Sequence, residues 1–171
     1  MVKARHSMKP LRALMALMSM LVAVPACADS DPDDFQVTVS VVPSCKFIIA
    51  VDVAFGNLDV YGFGTKTAFG NLKVLCTKAG AYTIDLNDGL TPDLSGNRQM
   101  SDGGISVIPY ELYRDENTTQ VWKSGVDTLA FTGSGLREEK RIYGVLTWTE
   151  EMLPNAPVGN YADTVTATVN F

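Results

Sequence analysis

Residues that usually carry out catalysis are few in this sequence, and their spacing does not assemble a site. The single histidine, His6, lies in an N-terminal segment that we expect to be cleaved, so no His remains for a triad, metal site or proton relay. Gly133-Ser134-Gly135 lacks the pattern of a nucleophile elbow and is typical of a β-turn. Glu138-Glu139 and Glu150-Glu151 are adjacent pairs, whose side chains point to opposite faces of a strand. We therefore expect no enzyme activity, no catalytic residue and no cofactor.

Three further features could bind a ligand, but each has a simpler explanation. Asp85-Leu86-Asn87-Asp88-Gly89 resembles a calcium loop, yet its glycine comes one residue early and no Glu closes it, so a hairpin turn and no metal site are predicted. Asn117-Thr118-Thr119 matches a glycosylation sequon, a pattern that is common by chance. Trp122, Trp148 and the tyrosines could line a sugar-binding surface, although aromatic residues of a sandwich more often pack in its core.

Residues 1–28 have the three regions of a secretory signal peptide. A positively charged start is followed by the apolar run Ala13 to Val24 and by the cleavage motif Ala26-Cys27-Ala28. Lipidation of Cys27 is the alternative, but Val24 and Pro25 fit a lipobox poorly. The apolar run is shorter than the ~20 residues that span a membrane. We predict export through the inner membrane to the periplasm, and then a cell-surface or secreted location without membrane insertion.

The 143 residues after the predicted cleavage site are strongly acidic and long enough for one domain with a core. They carry 10 basic and 19 acidic residues, a net charge of −9. A negative surface argues against nucleic acid or an anionic membrane as the partner. The simplest role of this charge is to keep an exported domain soluble.

Cys45 and Cys76 are the two cysteines that remain after cleavage. Because exported chains meet an oxidising compartment, an even number of cysteines indicates a disulfide. The bond would close a loop of roughly 30 residues and would stabilise the fold by roughly 3–4 kcal/mol in the chain-entropy model. Free buried thiols are the alternative that export disfavours, and two Cys without a His are too few for a metal site.

Apolar residues alternate with a period of two along most of the mature chain, which predicts β-strands. The segment Phe35 to Val41 alternates in this way and stops before Pro43. The clearest case is the final segment, Gly159 to Phe171, which we expect to form a strand with nothing following to pair with its free side. One of its faces carries Tyr161, Asp163, Val165, Ala167, Val169 and Phe171. Many short strands with Gly and Pro turns, and no helical stripe, predict an all-β antiparallel sandwich.

An ordered set of short motifs spans the mature chain. In order they are Val42-Pro43-Ser44-Cys45, Phe55-Gly56-Asn57-Leu58, Leu72 to Thr77, Tyr82 to Gly89, Arg98 to Met100, Ile108 to Tyr113, Thr132 to Gly135 and Gly159 to Val165. Together they resemble the spore coat protein U domain family, which includes the pilins of archaic (Csu-type) chaperone–usher fimbriae.

The resemblance implies an incomplete immunoglobulin-like β-sandwich that lacks its last strand and has a Cys45–Cys76 disulfide. It also implies that residues 1–28 are a signal peptide, that residues 29–42 are an N-terminal extension and that residues 43–171 form the sandwich domain. The expected partners are a periplasmic fimbrial chaperone, an outer-membrane usher and neighbouring pilin subunits of the same or another kind. The implied donor-strand side chains are Phe35, Val37, Val39 and Val41. The implied edge of the acceptor groove is Tyr161, Asp163, Val165, Ala167, Val169 and Phe171.

One departure from the family pattern leaves alternatives open. The mature chain starts with Asp29-Ser30-Asp31-Pro32-Asp33-Asp34, where family pilins often carry further apolar residues. The segment 35–41 is therefore either a donor strand or the first strand of the domain itself. The first option predicts a polymerising fimbrial subunit for adhesion and biofilm formation. The second option predicts a minor, terminating or tip-proximal subunit, or a coat protein outside fimbriae. The alternative functions are a self-complete secreted coat or matrix protein and a tip adhesin that binds a surface or a glycan.

Overall fold

The computed structural model describes residues 29–125 and 130–171, so the predicted signal peptide lies outside the described residues. The chain divides into two units, Met1–Val39 and Ser40–Phe171. In the first unit, residues 29–39 are exposed and contain no strand. The second unit contains all the strands that the structure describes.

Within residues 40–125 and 130–171, the second unit contains nine antiparallel strands and one short 3₁₀ helix, Glu150–Asn155. The strands are β1 (Cys45–Val51), β2 (Gly64–Cys76), β3 (Ala81–Leu86), β4 (Gln99–Ser101), β5 (Val107–Pro109), β6 (Glu111–Tyr113), β7 (Phe131–Thr132), β8 (Arg137–Trp148) and β9 (Ala167–Asn170).

Three sheets result from the pairing of these strands. A four-stranded sheet has the order β1-β2-β8-β6, a three-stranded sheet has the order β7-β3-β9, and β4 pairs with β5. The motif Ile108 to Tyr113 is divided at Tyr110, so that β5 pairs with β4 while β6 pairs with β8. Pro109 ends β5 at this split, which agrees with the confinement of proline to edges and irregular positions.

The core lies between the four-stranded and three-stranded sheets. Its largest cluster of buried side chains comprises Leu72, Val74, Cys76, Tyr82, Ile84, Leu86, Leu112, Trp122 and Ile142. A second cluster contains Ile108, Leu146 and Trp148. Trp122 donates its indole N–H to the Ile84 carbonyl at 2.7 Å, and Trp148 donates to the Asp59 carbonyl at 3.0 Å. Both tryptophans are therefore core residues, and the predicted antiparallel sandwich is confirmed.

The predicted disulfide is also confirmed. Cys45 and Cys76 are bonded, with an S–S distance of 2.06 Å. They are directly paired residues at the ends of β1 and β2. The bond therefore ties the first strand of the sandwich to its neighbour, immediately after the exposed N-terminal segment.

Candidate functional site

The two sheets of the sandwich each leave an edge strand on the same side. Strand β9 is at the edge of the three-stranded sheet and pairs with β3, from Thr83↔Asn170 to Leu86↔Ala167. Strand β1 is at the edge of the four-stranded sheet and contacts β9 across the sandwich. Within residues 29–125 and 130–171, no strand pairs with the outer edge of β9. An edge of this kind presents backbone N–H and C=O groups that can pair with another chain.

The space between β1 and β9 has an apolar floor. Phe47 of β1 and Val165, Ala167 and Val169 of the final segment are half-buried and pack against the main core cluster. These side chains are covered on their inner side and partly exposed on the other. We call the two edges and these four side chains the open edge.

The alternation predicted for the final segment is present in the structure. Tyr161, Asp163, Val165, Ala167 and Val169 are half-buried, while the residues between them are exposed. Phe171 remains 61% exposed, and the strand itself covers only Ala167–Asn170. Of the six predicted groove residues, those from Val165 onward therefore lie at or beside the open edge.

Tyr161 and Asp163 are held in other surroundings, further from β9. Tyr161 packs against the second core cluster, and its hydroxyl donates to the Pro157 carbonyl at 3.0 Å. The Asp163 carboxylate accepts hydrogen bonds from the Tyr110 hydroxyl at 2.6 Å and from the Leu90 N–H at 2.8 Å. Burial, together with the hydrogen bond to Asp163, raises the pKa of Tyr110 above its ordinary value. Asp163 thus anchors the chain that leads into β9.

A second anchor holds the loop after β3 in place. Asn87 donates its backbone N–H to the Thr166 carbonyl at 3.0 Å, and its side-chain oxygen accepts the Thr166 N–H at 2.8 Å. Arg98, whose side chain is fully buried, donates to the Asn87 carbonyl at 2.7 Å and to the Trp122 carbonyl at 2.7 Å. The buried Arg98 guanidinium therefore holds the loop after β3, and this loop in turn holds the final segment through Thr166.

Sequence reasoning missed these anchors. The alternation of the final segment placed Asp163 on the same face as Val165, but it gave no sign of the distant partners Tyr110 and Leu90. Arg98 stood out only as the first residue of the motif Arg98 to Met100. A charged residue in an otherwise turn-rich stretch gave no signal that it would be buried.

The predicted donor residues are the most exposed group of large apolar side chains in the N-terminal segment. Phe35, Val37 and Val39 are 85%, 86% and 90% exposed, and Val41 is also exposed. The alternating pattern predicts a strand here, but residues 35–41 belong to none of the strands that the structure describes. The physical reason is that an alternating segment becomes a strand only when a neighbouring strand satisfies its backbone groups.

Residues 29–125 and 130–171 contain no group of three or more His, Cys, Asp or Glu side chains placed to hold a metal ion. No helix in these ranges is both long and apolar enough to cross a membrane.

The described residues define a disulfide-linked antiparallel β-sandwich domain that carries the open edge. Residues 32–168 match the model of the Spore Coat Protein U domain, and the chain belongs to this family. The family resemblance drawn from the motifs is therefore confirmed.

Two known proteins show how far the similarity extends. Protein U of Myxococcus xanthus is 30% identical over 130 residues, which cover 72% of this chain and 66% of Protein U. A chain in the crystal structure of the CsuC–CsuE chaperone–tip adhesion subunit pre-assembly complex, from archaic chaperone–usher Csu pili of Acinetobacter baumannii, has a similar fold. That match has a TM-score of 0.55 and 20% identity, and it covers 77% of this chain and 40% of the other. The chain thus spans less than two thirds of the length of either protein.

Proposed function

We propose that this protein is an exported structural subunit of a surface fimbria that polymerises by donor-strand exchange. A periplasmic chaperone would cover the open edge first. An outer-membrane usher would then catalyse its replacement by the N-terminal segment of the next subunit, of the same or another kind. Family membership supports this assignment, as does the similarity of fold to a chain of a chaperone–subunit complex from archaic pili.

The observation that carries the proposal is that one chain presents two complementary surfaces, an exposed apolar segment and the open edge. Residues 35–41 present four apolar side chains on alternate positions, all of them exposed. The open edge presents the outer side of β9, with which no strand of residues 29–125 and 130–171 pairs, beside half-buried apolar side chains. Each surface offers what the other needs, namely backbone hydrogen-bond partners on one side and apolar cover on the other.

The dimensions of the two surfaces agree. Phe35 to Val41 spans six residue steps, about 20 Å in an extended strand at about 3.3 Å per residue. Val165 to Phe171 spans the same number of steps, so four donor side chains match a groove wall of equal length. Burial of four such side chains at about 1.5–3 kcal/mol each would contribute roughly 6–12 kcal/mol before the cost of ordering the segment.

An unboiled SDS gel of the purified mature chain tests this proposal. We expect a ladder of polymers that collapses on boiling and that is absent from a chain starting at Pro43. The double variant Val37→Asp/Val39→Asp should lose the ladder while the Cys45–Cys76 disulfide still forms.

A matched control separates the loss of apolar contacts from the addition of charge. Thr38→Asp/Ser40→Asp adds the same two charges to the opposite face of the segment, and it should keep the ladder. A lone monomer from the full mature chain, with an unfolded truncation, would instead assign residues 35–41 to the domain's own fold. That outcome would favour the self-complete coat protein.

A further inference from the structure

The outer face of the four-stranded sheet carries a row of three aromatic side chains. Phe69 of β2 is paired directly with Tyr143 of β8, and Tyr143 is paired with Tyr113 of β6. The rings of Phe69 and Tyr143 meet edge to face, with centroids 5.7 Å apart and planes at 87°. Side chains that share a register row lie on the same face of a sheet, so the three rings form one continuous strip.

The core does not require this strip. The neighbours of Phe69 and Tyr143 along their strands are the buried residues Ala68, Gly70, Ile142 and Gly144, so the inner face is already filled. Phe69 is 59% exposed. An exposed aromatic ring beside two half-buried ones forms a contiguous aromatic patch, and patches of this kind can serve as contact sites for a ligand or partner.

A shallow pocket opens beside two of the rings. Its volume is about 130 Å³, and its lining includes Thr67, Phe69, Tyr143, Glu116 and Thr118. At ~30 Å³ per water molecule, this is the volume of roughly four waters. The rings of Phe69 and Tyr143 therefore lie next to two hydroxyl groups and a carboxylate. The space between these groups can hold part of a small polar ring.

The loop that supplies Glu116 and Thr118 is held rigidly. The Asp115 carboxylate accepts hydrogen bonds from the Gln120 N–H at 2.7 Å and from the Thr119 hydroxyl at 2.8 Å. Thr118 has φ +53°, a conformation in which a β-branched residue is rare and strained. Strain of this kind persists where surrounding contacts fix the backbone, and it is concentrated at binding sites.

We propose that this pocket and the aromatic strip bind a neutral sugar unit of a polysaccharide. The apolar C–H faces of a sugar ring match Phe69 and Tyr143, while its hydroxyls can donate to Glu116 and exchange hydrogen bonds with Thr67 and Thr118. Charge favours the neutral class, because Glu116 and the excess of acidic over basic residues repel polyanions, whereas the Arg141 guanidinium, 5.8 Å from the centroid of the Phe69 ring, repels cationic chains. The strip continues past the pocket to Tyr113, so it suits an extended chain of sugars better than a single unit.

Affinity electrophoresis of the full mature chain tests this proposal. The native gels contain hydroxyethylcellulose, galactomannan or dextran as neutral probes and polygalacturonate as the acidic probe. We expect slower migration in at least one neutral gel and none in polygalacturonate. Phe69→Ala and Tyr143→Ala should each weaken the retardation by about tenfold, the loss typical when an aromatic anchor is truncated.

Two further variants serve as controls. Phe69→Trp keeps an aromatic face and should keep the retardation. Tyr61→Ala removes an aromatic ring that is 96% exposed but lies outside the strip, and it should have no effect. Each variant is compared with the wild type by near-UV circular dichroism and for disulfide formation, so that a folding defect is not mistaken for lost binding.

Three results would overturn the proposal. The first is no retardation in any neutral gel, and the second is retardation that Phe69→Ala leaves unchanged. The third is self-association in sedimentation velocity that Phe69→Ala abolishes, which would make the strip a contact between copies of the chain. None of these results bears on the SDS-resistant ladder, which depends on residues 35–41, so the two proposals are tested separately.

Discussion

Replacing Arg98 with methionine should destabilise the sandwich by about 3–5 kcal/mol, the cost expected when one partner of a buried ion pair is removed. The Arg98 side chain is fully buried and pairs with Glu111 at 2.5 Å. It also donates to the carbonyls of Leu86 at 3.1 Å, Asn87 at 2.7 Å and Trp122 at 2.7 Å. Methionine fills much of the same volume but donates no hydrogen bond, so the carbonyls of Asn87 and Trp122 lose their Arg98 donor, while the Leu86 carbonyl keeps the Ser124 hydroxyl at 3.3 Å.

The structure places the cost near the lower end of this range. The Glu111 carboxylate would keep the Leu112 N–H at 3.0 Å and the Lys123 ammonium at 3.7 Å. Its side chain is 21% exposed, so water can also solvate the carboxylate. The unpaired carbonyls therefore contribute more of the loss than the unpaired charge, and about 3 kcal/mol is expected. That is a large share of the 5–15 kcal/mol that stabilises a typical domain.

Urea unfolding of the oxidised mature chain measures the effect. With a slope of about 1–3 kcal/mol per M, the midpoint should fall by roughly 1–3 M. Arg137→Met makes the same chemical change at an exposed position of β8 and should shift stability by less than about 0.5 kcal/mol. A loss below about 1 kcal/mol for Arg98→Met would refute the reasoning, because it would show that water or rearrangement satisfies the carbonyls.

Three other predictions follow from the sandwich. Hydrogen bonds from Lys140 and from Ser134 lower the pKa of Glu138 from 4.5 to about 2. Because the pKa is lowered in the folded state, the carboxylate stabilises the fold at pH values above the unfolded pKa, and this stabilisation is lost as the pH falls from about 4.5 toward 2. Glu138→Gln should therefore flatten the stability–pH curve in that window, and an unchanged curve would contradict the assignment. Cys45→Ser/Cys76→Ser should cost about 3–4 kcal/mol in urea unfolding, because the bond closes a loop with a separation of 31 residues; equal midpoints for the oxidised wild type and the variant would argue against this. In thermal melts, Gly144→Ala should cost about 1–3 kcal/mol of stability, because a Cβ there would lie 2.5 Å from the Val53 side chain. Gly159→Ala should be neutral in the same melts, because no atom would lie closer than 3.9 Å to its Cβ.

The strands that could be predicted were those with a clear period of two. Strand β3 is the clearest example, because its alternating residues Tyr82, Ile84 and Leu86 all point into the core. Strand β2 shares only its last five residues with the motif Leu72 to Thr77. Its first half, from Gly64 to Asn71, mixes glycine, lysine and threonine with single apolar residues, so it becomes a strand only because β8 pairs with its whole length.

The segment Phe35–Val41 shows the opposite case. Its alternation is as regular as that of β3, yet it forms no strand in the described chain. Local pattern sets which side chains share a face, but the backbone groups of a strand also need a partner. Whether that partner is another subunit is the question that the SDS gel addresses.

The sequence by itself determined the class of the protein. Periodicity, turn residues, the cysteine pair and the ordered motifs are local properties, and they were sufficient for the antiparallel sandwich, the disulfide and the family. Tertiary structure alone decided which edges stay open, that Asp163 meets Tyr110 and Leu90, that Arg98 is buried, and that Phe69, Tyr143 and Tyr113 share one row. These features depend on the register between strands far apart in the chain, and a one-residue shift in register would move each side chain to the other face.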